Sequence, residues 1–324
     1  MGMSATHTNR KPGTLQILAA FAAIYVIWGS TYLFIRFGVE TIPPFVMAGT
    51  RHLIAGSLLF AWVRWRTGER PRAAQWLPAA LVGALLLVGG NGGVTWAEQR
   101  VPSGLAALLV ATMPFWLVLL DWLRPGGERP HLGSALGLLL GFGGVALLVG
   151  PSRLNGAHVD PLGAAVLVLA ALSWAAGSLI SRHGKLGTSP LLAAAMQSLT
   201  GGALLFILCG VSGEWTRFSL AQVSLRSALS LGYLVLFGSL LGFTAYIWLL
   251  RVTVPSRVST YAYVNPVVAV LLGWAFAGEA VTGRMVGATV LIVAAVALVI
   301  TQQRKAAPAK QPEAVPANAA ECAD

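Results

Sequence analysis

Apolar windows of about 20 residues recur along almost the whole chain, and short polar connections separate them. Each window is long enough to cross a hydrocarbon core about 30 Å thick. The composition agrees, because 56% of the 324 residues are hydrophobic and 10% are charged, which does not fit a soluble chain. The windows predict an all-α integral membrane protein with ten transmembrane helices, near 15–35, 44–65, 76–97, 103–123, 132–150, 161–181, 190–211, 228–250, 256–277 and 283–302.

The basic residues lie mainly in the short connections between the windows. For a chain of net charge +11 this pattern indicates membrane orientation rather than nucleic-acid binding. The side that holds both termini carries 15 of the 22 Lys and Arg residues, the opposite side carries six, and Arg51 lies within a span. Because positively charged loops remain in the cytoplasm, both termini are predicted to be cytoplasmic.

The second half of the chain repeats the first. With an offset of 146 positions and no gap, Ile27–Arg51 aligns with Ser173–Gln197, which pairs Trp28 with Trp174, Arg36 with Arg182, Pro44 with Pro190 and Arg51 with Gln197. Two five-helix units are predicted, 15–150 and 161–302, followed by a disordered cytoplasmic tail at 303–324. Because five is an odd number, the second unit enters the membrane from the opposite face. The repeat is therefore inverted, which is typical of carriers.

Several short motifs resemble the EamA family of the drug/metabolite transporter superfamily. They are the Trp28-Gly29-Ser30 start, the prolines Pro114 and Pro266, and the pairs Gly127-Glu128 and Gly278-Glu279. The resemblance covers about 15–302 and implies a ten-helix exporter of small metabolites, amino acids or drugs in the cell inner membrane, with a central cavity. Both proton coupling and facilitated diffusion occur in the superfamily, so the resemblance leaves the substrate and the energy source open.

Arg51 is a candidate substrate-binding residue. It lies about seven residues into the second span, which is about 10 Å along a helix. A guanidinium at that depth costs several kcal/mol unless it faces a wet cavity or a partner. A cavity cation for an anionic or carboxylate group is one interpretation, and a structural ion pair or a side chain that reaches the interface is the other. Gln197 takes its place in the second unit, so this candidate pair is asymmetric in charge, as a site for an asymmetric substrate would be.

Pro114 and Pro266 lie at corresponding positions near the middle of their spans. Each proline removes a helical N–H and leaves a carbonyl one turn earlier without its usual donor. Matched interruptions of this kind indicate a binding site at the membrane midplane, although a kink that only shapes packing is the alternative. Asn265 beside Pro266 and Tyr261 one turn earlier favour binding, because a buried amide in lipid must find partners.

Four further residues complete the candidate binding set. Asn91 is a polar residue among glycines of the third span, where close helix packing and cavity lining are both open interpretations. Phe243 and Tyr246 are three positions apart in the eighth span and can share a helix face, which suits amphipathic or cationic substrates. Trp28 lies well inside the first span, as a residue of the core or of the cavity wall.

The acidic residues lie near the ends of the predicted spans rather than at the midplane. Asp121 is expected to pair with nearby Arg124. Glu128 and Glu279 are expected at helix ends, where negative charge at an N-terminus is favourable. Glu98 is interpreted as a solvated residue at the outer end of the third span, with a proton carrier at the cavity mouth as the alternative. This distribution weakens the case for a dedicated carboxylate proton shuttle.

A membrane-embedded enzyme and a channel are the alternatives to a secondary transporter. The chain contains no His-Glu-x-x-His zinc pattern, no Gly-x-Ser-x-Gly elbow and no phosphate loop. A ring of charged residues that would select ions is not evident either. We therefore expect a chain without enzyme activity, metal or cofactor. Its expected partners are a small-molecule substrate and the lipid bilayer, without nucleic acid, and both a monomer and a homodimer are compatible with the sequence.

Overall fold

A computed structural model describes residues 13–126, 129, 132–149, 160–184, 187–253, 258 and 260–306, and no β-strand occurs within these residues. The first half contains α1 (Thr14–Gly38), α2 (Pro44–Thr67), α3 (Ala73–Gly83), α4 (Gly93–Ala97), α5 (Ser103–Val110), α6 (Met113–Leu123) and α7 (Leu132–Val149). The second half contains α8 (Pro161–His183), α9 (Pro190–Val211), α10 (Glu214–Arg217), α11 (Leu225–Tyr233), α12 (Gly242–Val252), α13 (Tyr261–Ala277) and α14 (Gly283–Ala306).

Within the described residues, eight helical segments are long and apolar enough to cross a membrane. Two shorter apolar helices, Leu132–Leu147 and Val264–Ala277, lie where the fifth and ninth spans are expected. The expected all-α membrane class is confirmed. Helix α14 continues to Ala306, past the position 303 at which the disordered tail was expected to begin. The rest of that expected tail, 307–324, lies outside the described residues.

Several spans begin where the sequence supplies a helix start. Proline is the first residue of α2, α8 and α9. A backbone N–H at this position has no partner within the helix, so the N–H that proline lacks is not missed. The side chain of Asp160 accepts from Leu162 N before α8, and that of Ser189 accepts from Leu192 N before α9. These caps satisfy N–H groups that have no partner inside the helix.

Helices α2 and α9 pack against each other in antiparallel orientation. Glu214, which follows α9, accepts through Oε2 from the backbone N–H groups of Phe45 (2.9 Å) and Val46 (3.2 Å) at the start of α2. At the opposite end, Glu69 follows α2 and accepts through Oε1 from Ser189 N (2.8 Å), directly before α9. Each carboxylate meets unpaired N–H groups and the positive end of a helix dipole.

Two π-helical segments interrupt spans at matching places in the two halves. Segment π1 (Ala84–Gly92) joins α3 to α4, and segment π2 (Leu234–Leu241) joins α11 to α12. Such irregular turns occur frequently at functional sites. Each segment receives a hydrogen bond from the first span of the other half: Ser173 Oγ donates to Leu85 O (2.8 Å) and Trp28 Nε1 donates to Gly238 O (3.2 Å).

Candidate substrate-binding site

The guanidinium of Arg51 lies against π2. Arg51 is 7% exposed, and its Nε donates to Ser239 Oγ at 2.8 Å. A methyl group added at Gly238 would lie 3.1 Å from Arg51 Nη2. The absence of a side chain at Gly238 therefore allows the guanidinium to pack closely against π2. Among the described residues no carboxylate forms an ion pair with Arg51. Because Ser239 takes one N–H of the planar fork, the others can bind an anionic ligand.

Aromatic rings from three helices meet in one cluster. The ring of Trp28 in α1 lies 4.9 Å from that of Tyr261 in α13, edge to face, and 5.3 Å from that of Tyr246 in α12. The rings of Tyr246 and Tyr261 are 6.1 Å apart, also edge to face, and that of Phe243 lies 6.4 Å from that of Tyr246. Tilted contacts at these distances are the geometry that aromatic rings prefer.

A short stretch of π2 connects the cation to the aromatic cluster. Gly238 accepts the hydrogen bond from Trp28 Nε1 and also faces Arg51. One turn further on, a methyl group added at Gly242 would lie 2.6 Å from Trp28 Nε1. Gly238, Ser239 and Gly242 were not among the residues predicted from the sequence. Two glycines four positions apart in an apolar helix are the pattern that could have identified this close packing.

Asn265 is held by backbone carbonyls near the proline of α13. With the amide oriented so that its nitrogen donates, Nδ2 reaches Tyr261 O at 3.3 Å and Tyr25 O at 3.2 Å. Asn265 is buried, and its amide ties α13 to α1 one residue before Pro266 interrupts the helical hydrogen bonds. The amide thus has the partners that a buried polar group requires, and both of them are main-chain atoms.

Pro114 and Pro266 interrupt their spans in different ways. Helix α5 ends at Val110 and α6 begins at Met113, so Pro114 is the second residue of a new helix. At that position its missing N–H does not break an interior hydrogen bond. Pro266 lies inside α13. The matched positions in the sequence therefore correspond to a break between two helices in one unit and to a helix interior in the other.

The side chain of Asn91 and the backbone of Gln197 lie at contacts of π1 and α3, respectively. Asn91 Oδ1 and His52 Nε2 are 3.2 Å apart in a buried hydrogen bond. In α9, the carbonyl oxygen of Gln197 would lie 2.6 Å from a methyl group added at Gly83 of α3. The predicted residues that meet around π2 are Trp28, Arg51, Phe243, Tyr246 and Tyr261.

Glu98 is a buried carboxyl group, so its interpretation as a solvated residue is wrong. Its side chain is 0% exposed, and neither carboxyl oxygen has a hydrogen-bond partner among the described residues. Arg36 Nη1 donates to its backbone carbonyl at 2.8 Å. Burial, together with the nearby Glu279 carboxylate, raises the pKa of Glu98 well above its usual range. The sequence correctly predicts that Glu98 follows the third span. Its burial results from the packing of the surrounding helices, which the sequence pattern does not show.

Two expectations for other acidic residues are confirmed. Arg124 Nη2 and Asp121 Oδ1 form an ion pair at 3.1 Å. Glu279 lies at the N-terminus of α5, where its Oε1 accepts from Ser103 N at 2.6 Å. Glu128, which was also expected at a helix end, lies outside the described residues.

A groove of about 530 Å³ opens between α1 and α12. Its lining contains none of the residues predicted to bind substrate and consists of Gln16, Ala19, Ala20, Leu241, Thr244, Ala245 and Trp248. Within the described residues, no group of three or more His, Cys, Asp and Glu side chains is placed to hold a metal ion. The candidate site is therefore defined by the contacts around π2.

A model of the EamA-like transporter family matches the chain at residues 14–150 and again at 161–301. The uncharacterized inner membrane transporter YedA of Escherichia coli K12 is 42% identical over 288 residues, which cover 88% of this chain and 90% of that protein. The probable amino-acid metabolite efflux pump of the same strain is 28% identical over 301 residues, which cover 88% and 93%. A crystal structure aligns with a TM-score of 0.61 at 21% identity, over 90% of this chain and 99% of that one.

These similarities extend over nearly all of the described helices. The family model accounts for both halves of the chain, and the relative with 42% identity spans most of the length of both proteins. The crystal structure supports the helical fold. The resemblance inferred from the short motifs is confirmed, and this protein belongs to the EamA-like transporter family.

Proposed function

We propose that this protein is a secondary transporter that exports small organic solutes with a carboxylate group, amino acids among them, through a site at π2. The observation that carries the proposal is the state of Arg51. Its guanidinium is buried, donates to Ser239, and forms no ion pair among the described residues. Because an unpaired buried cation is unfavourable, a solute carboxylate that binds there in bidentate geometry restores a strong interaction.

The aromatic cluster favours a solute with an apolar or aromatic body. Trp28 contacts Tyr246 and Tyr261, and it also bonds the π2 glycine that faces Arg51. A solute whose carboxylate binds the guanidinium would place its remaining atoms against these rings, which offer both faces and edges for contact. The name of one relative, a probable amino-acid metabolite efflux pump, supports the same solute class.

Alternating access through two inverted five-helix units, 15–150 and 161–302, is the mechanism we propose. The antiparallel packing of α2 on α9 supports it, since Glu214 and Glu69 cap the two helices reciprocally. The reciprocal hydrogen bonds to π1 and π2 support it as well. Two related packings of one architecture allow a central site to open to either side. Both termini are proposed to be cytoplasmic, in the inner membrane named for the YedA relative.

Solute counterflow in proteoliposomes tests the proposal. A thermal-shift screen of the purified protein against amino acids, sugars, nucleosides and cationic drugs first selects the solutes. Vesicles preloaded with unlabelled phenylalanine or leucine are then expected to accumulate the labelled form. Arg51→Ala should abolish this accumulation, whereas Arg66→Ala, an exposed arginine on the same helix, should retain it.

Three results would contradict parts of the proposal. Counterflow of sugars or nucleosides without counterflow of carboxylates would contradict the substrate class. Equal rates for wild type and Arg51→Ala would remove Arg51 from the site. Absence of counterflow with every solute class, in vesicles that contain folded protein, would contradict transport itself.

A further inference from the structure

Glu98 is a fully buried carboxyl group that the proposed solute site does not use. It follows directly after α4, at the end of the bundle that we propose faces outward. Its side chain is 0% exposed, and neither carboxyl oxygen is hydrogen-bonded within the described residues. An ionised carboxylate without partners in such surroundings is strongly unfavourable, so burial by itself favours the protonated form.

The groups that face Glu98 belong to three elements around it. Charged or titratable side chains near enough to influence its carboxyl are Tyr32 and Arg36 of α1, Arg51 of α2, and Glu279 after α13. On the segment of Glu98 itself, Arg100 pairs with Asp160 at 3.7 Å. Among the described residues none of these groups forms an ion pair with Glu98.

Arg36 is a nearby cation whose positive charge lowers the pKa of Glu98, but by less than burial raises it, and it forms no ion pair with the carboxyl group among the described residues. Its Nη1 donates to the backbone carbonyl of Glu98 at 2.8 Å. The guanidinium thereby satisfies a carbonyl at the end of α4. Within the part of the chain that the structure describes, the carboxyl oxygens have no hydrogen-bond donor.

Glu279 has the donors that Glu98 lacks. Its Oε1 accepts from Ser103 N at 2.6 Å and its Oε2 accepts from Gly104 N at 3.0 Å, at the start of α5. Two backbone N–H donors and the positive end of the helix dipole of α5 therefore face this carboxyl group. The nearby Glu279 carboxylate disfavours a negative charge on Glu98 and so adds to the effect of burial in favouring the protonated form of Glu98.

We propose that Glu98 is a proton-binding site of the transport cycle, which holds a proton while the outer end of the bundle is closed and loses it to water when that end opens. On opening, the carboxyl O–H bond breaks, the proton passes to a water molecule and the electron pair stays on the carboxylate. On closing, one proton from the outer solution forms the O–H bond again. This inference rests on the proposed transport function.

Infrared titration of the full-length purified protein tests proton binding directly, with protons as the probe. At about pH 7, where an exposed glutamate is ionised, wild type should show the C=O stretching band of a protonated carboxyl. Glu98→Gln should lack this band. Glu40→Gln should retain it, because Glu40 is an exposed glutamate at the same end, paired with Arg226 at 3.3 Å. An identical band in wild type and Glu98→Gln would overturn the inference.

Phenylalanine counterflow at different outer pH values tests the role of this proton in the cycle. Closing of the outer end takes up a proton from the outer solution. When the outer pH rises from about 6 to about 8, the rate should therefore fall several-fold in wild type and in Glu40→Gln and stay constant in Glu98→Gln. Equal pH dependence in wild type and Glu98→Gln would overturn the role. If Glu98→Gln does not fold, Glu98→Asp retains a proton and should shift the titration midpoint. Absence of wild-type counterflow would contradict the transport function, while the infrared band would still decide whether Glu98 binds a proton.

Discussion

The segments π1 and π2 occupy matching places in the two halves but contact different kinds of side chain. In π1, Gly90 packs under the ring of Trp174, where an added methyl group would lie 2.7 Å from Cε3, and Asn91 is paired with His52. In π2, Gly238 faces the end of Arg51, whose Nε bonds the next residue. Segment π1 contacts a packed ring and a paired amide, whereas segment π2 contacts both the guanidinium of Arg51 and the indole N–H of Trp28.

An irregular helical turn therefore does not by itself make a binding site. Both π segments receive a side-chain hydrogen bond from the first span of the other half, from Ser173 to π1 and from Trp28 to π2. What distinguishes π2 is the charge brought to it by α2. In the sequence alignment of the two halves Arg51 stands opposite Gln197, so the two halves differ in charge at this position.

Arg51→Gln makes the two units alike at this position and should have the largest effect. A hydrogen bond to a charged group contributes about 1.5–3 kcal/mol, so loss of the guanidinium should lower the initial rate of phenylalanine counterflow by about tenfold to a hundredfold. Gln197→Ala is the matched control in α9 and should retain most of the rate. A wild-type rate in Arg51→Gln would show that the charge asymmetry does not define the site.

Alanine at Gly238 and at Gly90 should affect different properties. At Gly238 the new methyl group would lie 3.1 Å from the flexible end of Arg51 and 3.2 Å from Thr31 Cγ2, so shifts of a few tenths of an ångström should let the protein fold while counterflow falls several-fold. At Gly90 it meets the rigid ring of Trp174, and overpacking should lower the free energy of unfolding by about 1–3 kcal/mol. Thermal unfolding and counterflow of both variants check this. If both variants lost stability equally, or both lost counterflow equally, π1 and π2 would not differ in function as proposed.

The hydrogen bond between Asn91 and His52 should stabilise the fold without contributing to solute binding. Asn91→Leu leaves a buried imidazole nitrogen unpaired, which should lower the free energy of unfolding by about 1–3 kcal/mol. The double variant with His52→Leu should lose less than the sum of the single variants. Thermal unfolding of the three variants measures this coupling. Slower counterflow by Asn91→Leu with unchanged stability would instead place Asn91 in the binding site.

Glu214→Gln should have the smallest effect, because an amide oxygen can still accept from Phe45 N and Val46 N. Burial raises the pKa of Glu214, although both N–H groups and Arg217 oppose the shift. A raised pKa in the folded state means that the stabilising contribution is complete below the unfolded pKa. It is lost as pH rises through the folded pKa.

The midpoint of thermal unfolding between about pH 4 and about pH 8 measures this contribution. Wild type should lose stability as the pH rises through the folded pKa of Glu214, and Glu214→Gln should not show that loss. The change at neutral pH should be below about 1 kcal/mol. Glu69→Gln, at the reciprocal cap of α9, is the control and should retain the wild-type pH dependence. If Glu214→Gln lost stability with rising pH as wild type does, this pH dependence would come from another titratable group.

Much of the fold was predictable because its causes are local. Apolar windows predicted the membrane class, since backbone groups in lipid must be paired within each helix. Pro44 and Pro190 marked helix starts that the structure confirms. The pair of Asp121 with Arg124 was predictable too, since residues three apart share a helix face.

The candidate site was predictable only in part. Arg51 was identified because a charged side chain within a membrane span is energetically unfavourable. Trp28 was identified because it aligns with Trp174 in the second half of the chain. Ser239 was missed, because a hydroxyl in an apolar helix carries no signal that it will meet an arginine from another helix. The burial of Glu98 was missed for a related reason, since its place after a span does not show what packs over it.

The order of residues along the chain is enough to show that this is a helical membrane protein of two related halves, where most of its helices begin, and to which family it belongs. These properties depend on hydrophobicity, backbone pairing and residue identity along the chain. Tertiary packing brings Arg51 to Ser239 and Trp28 to π2, and it encloses the Glu98 carboxyl group without a hydrogen-bond partner among the described residues. Such meetings depend on how each helix is rotated and tilted against the others, and residues far apart in the chain set that geometry together.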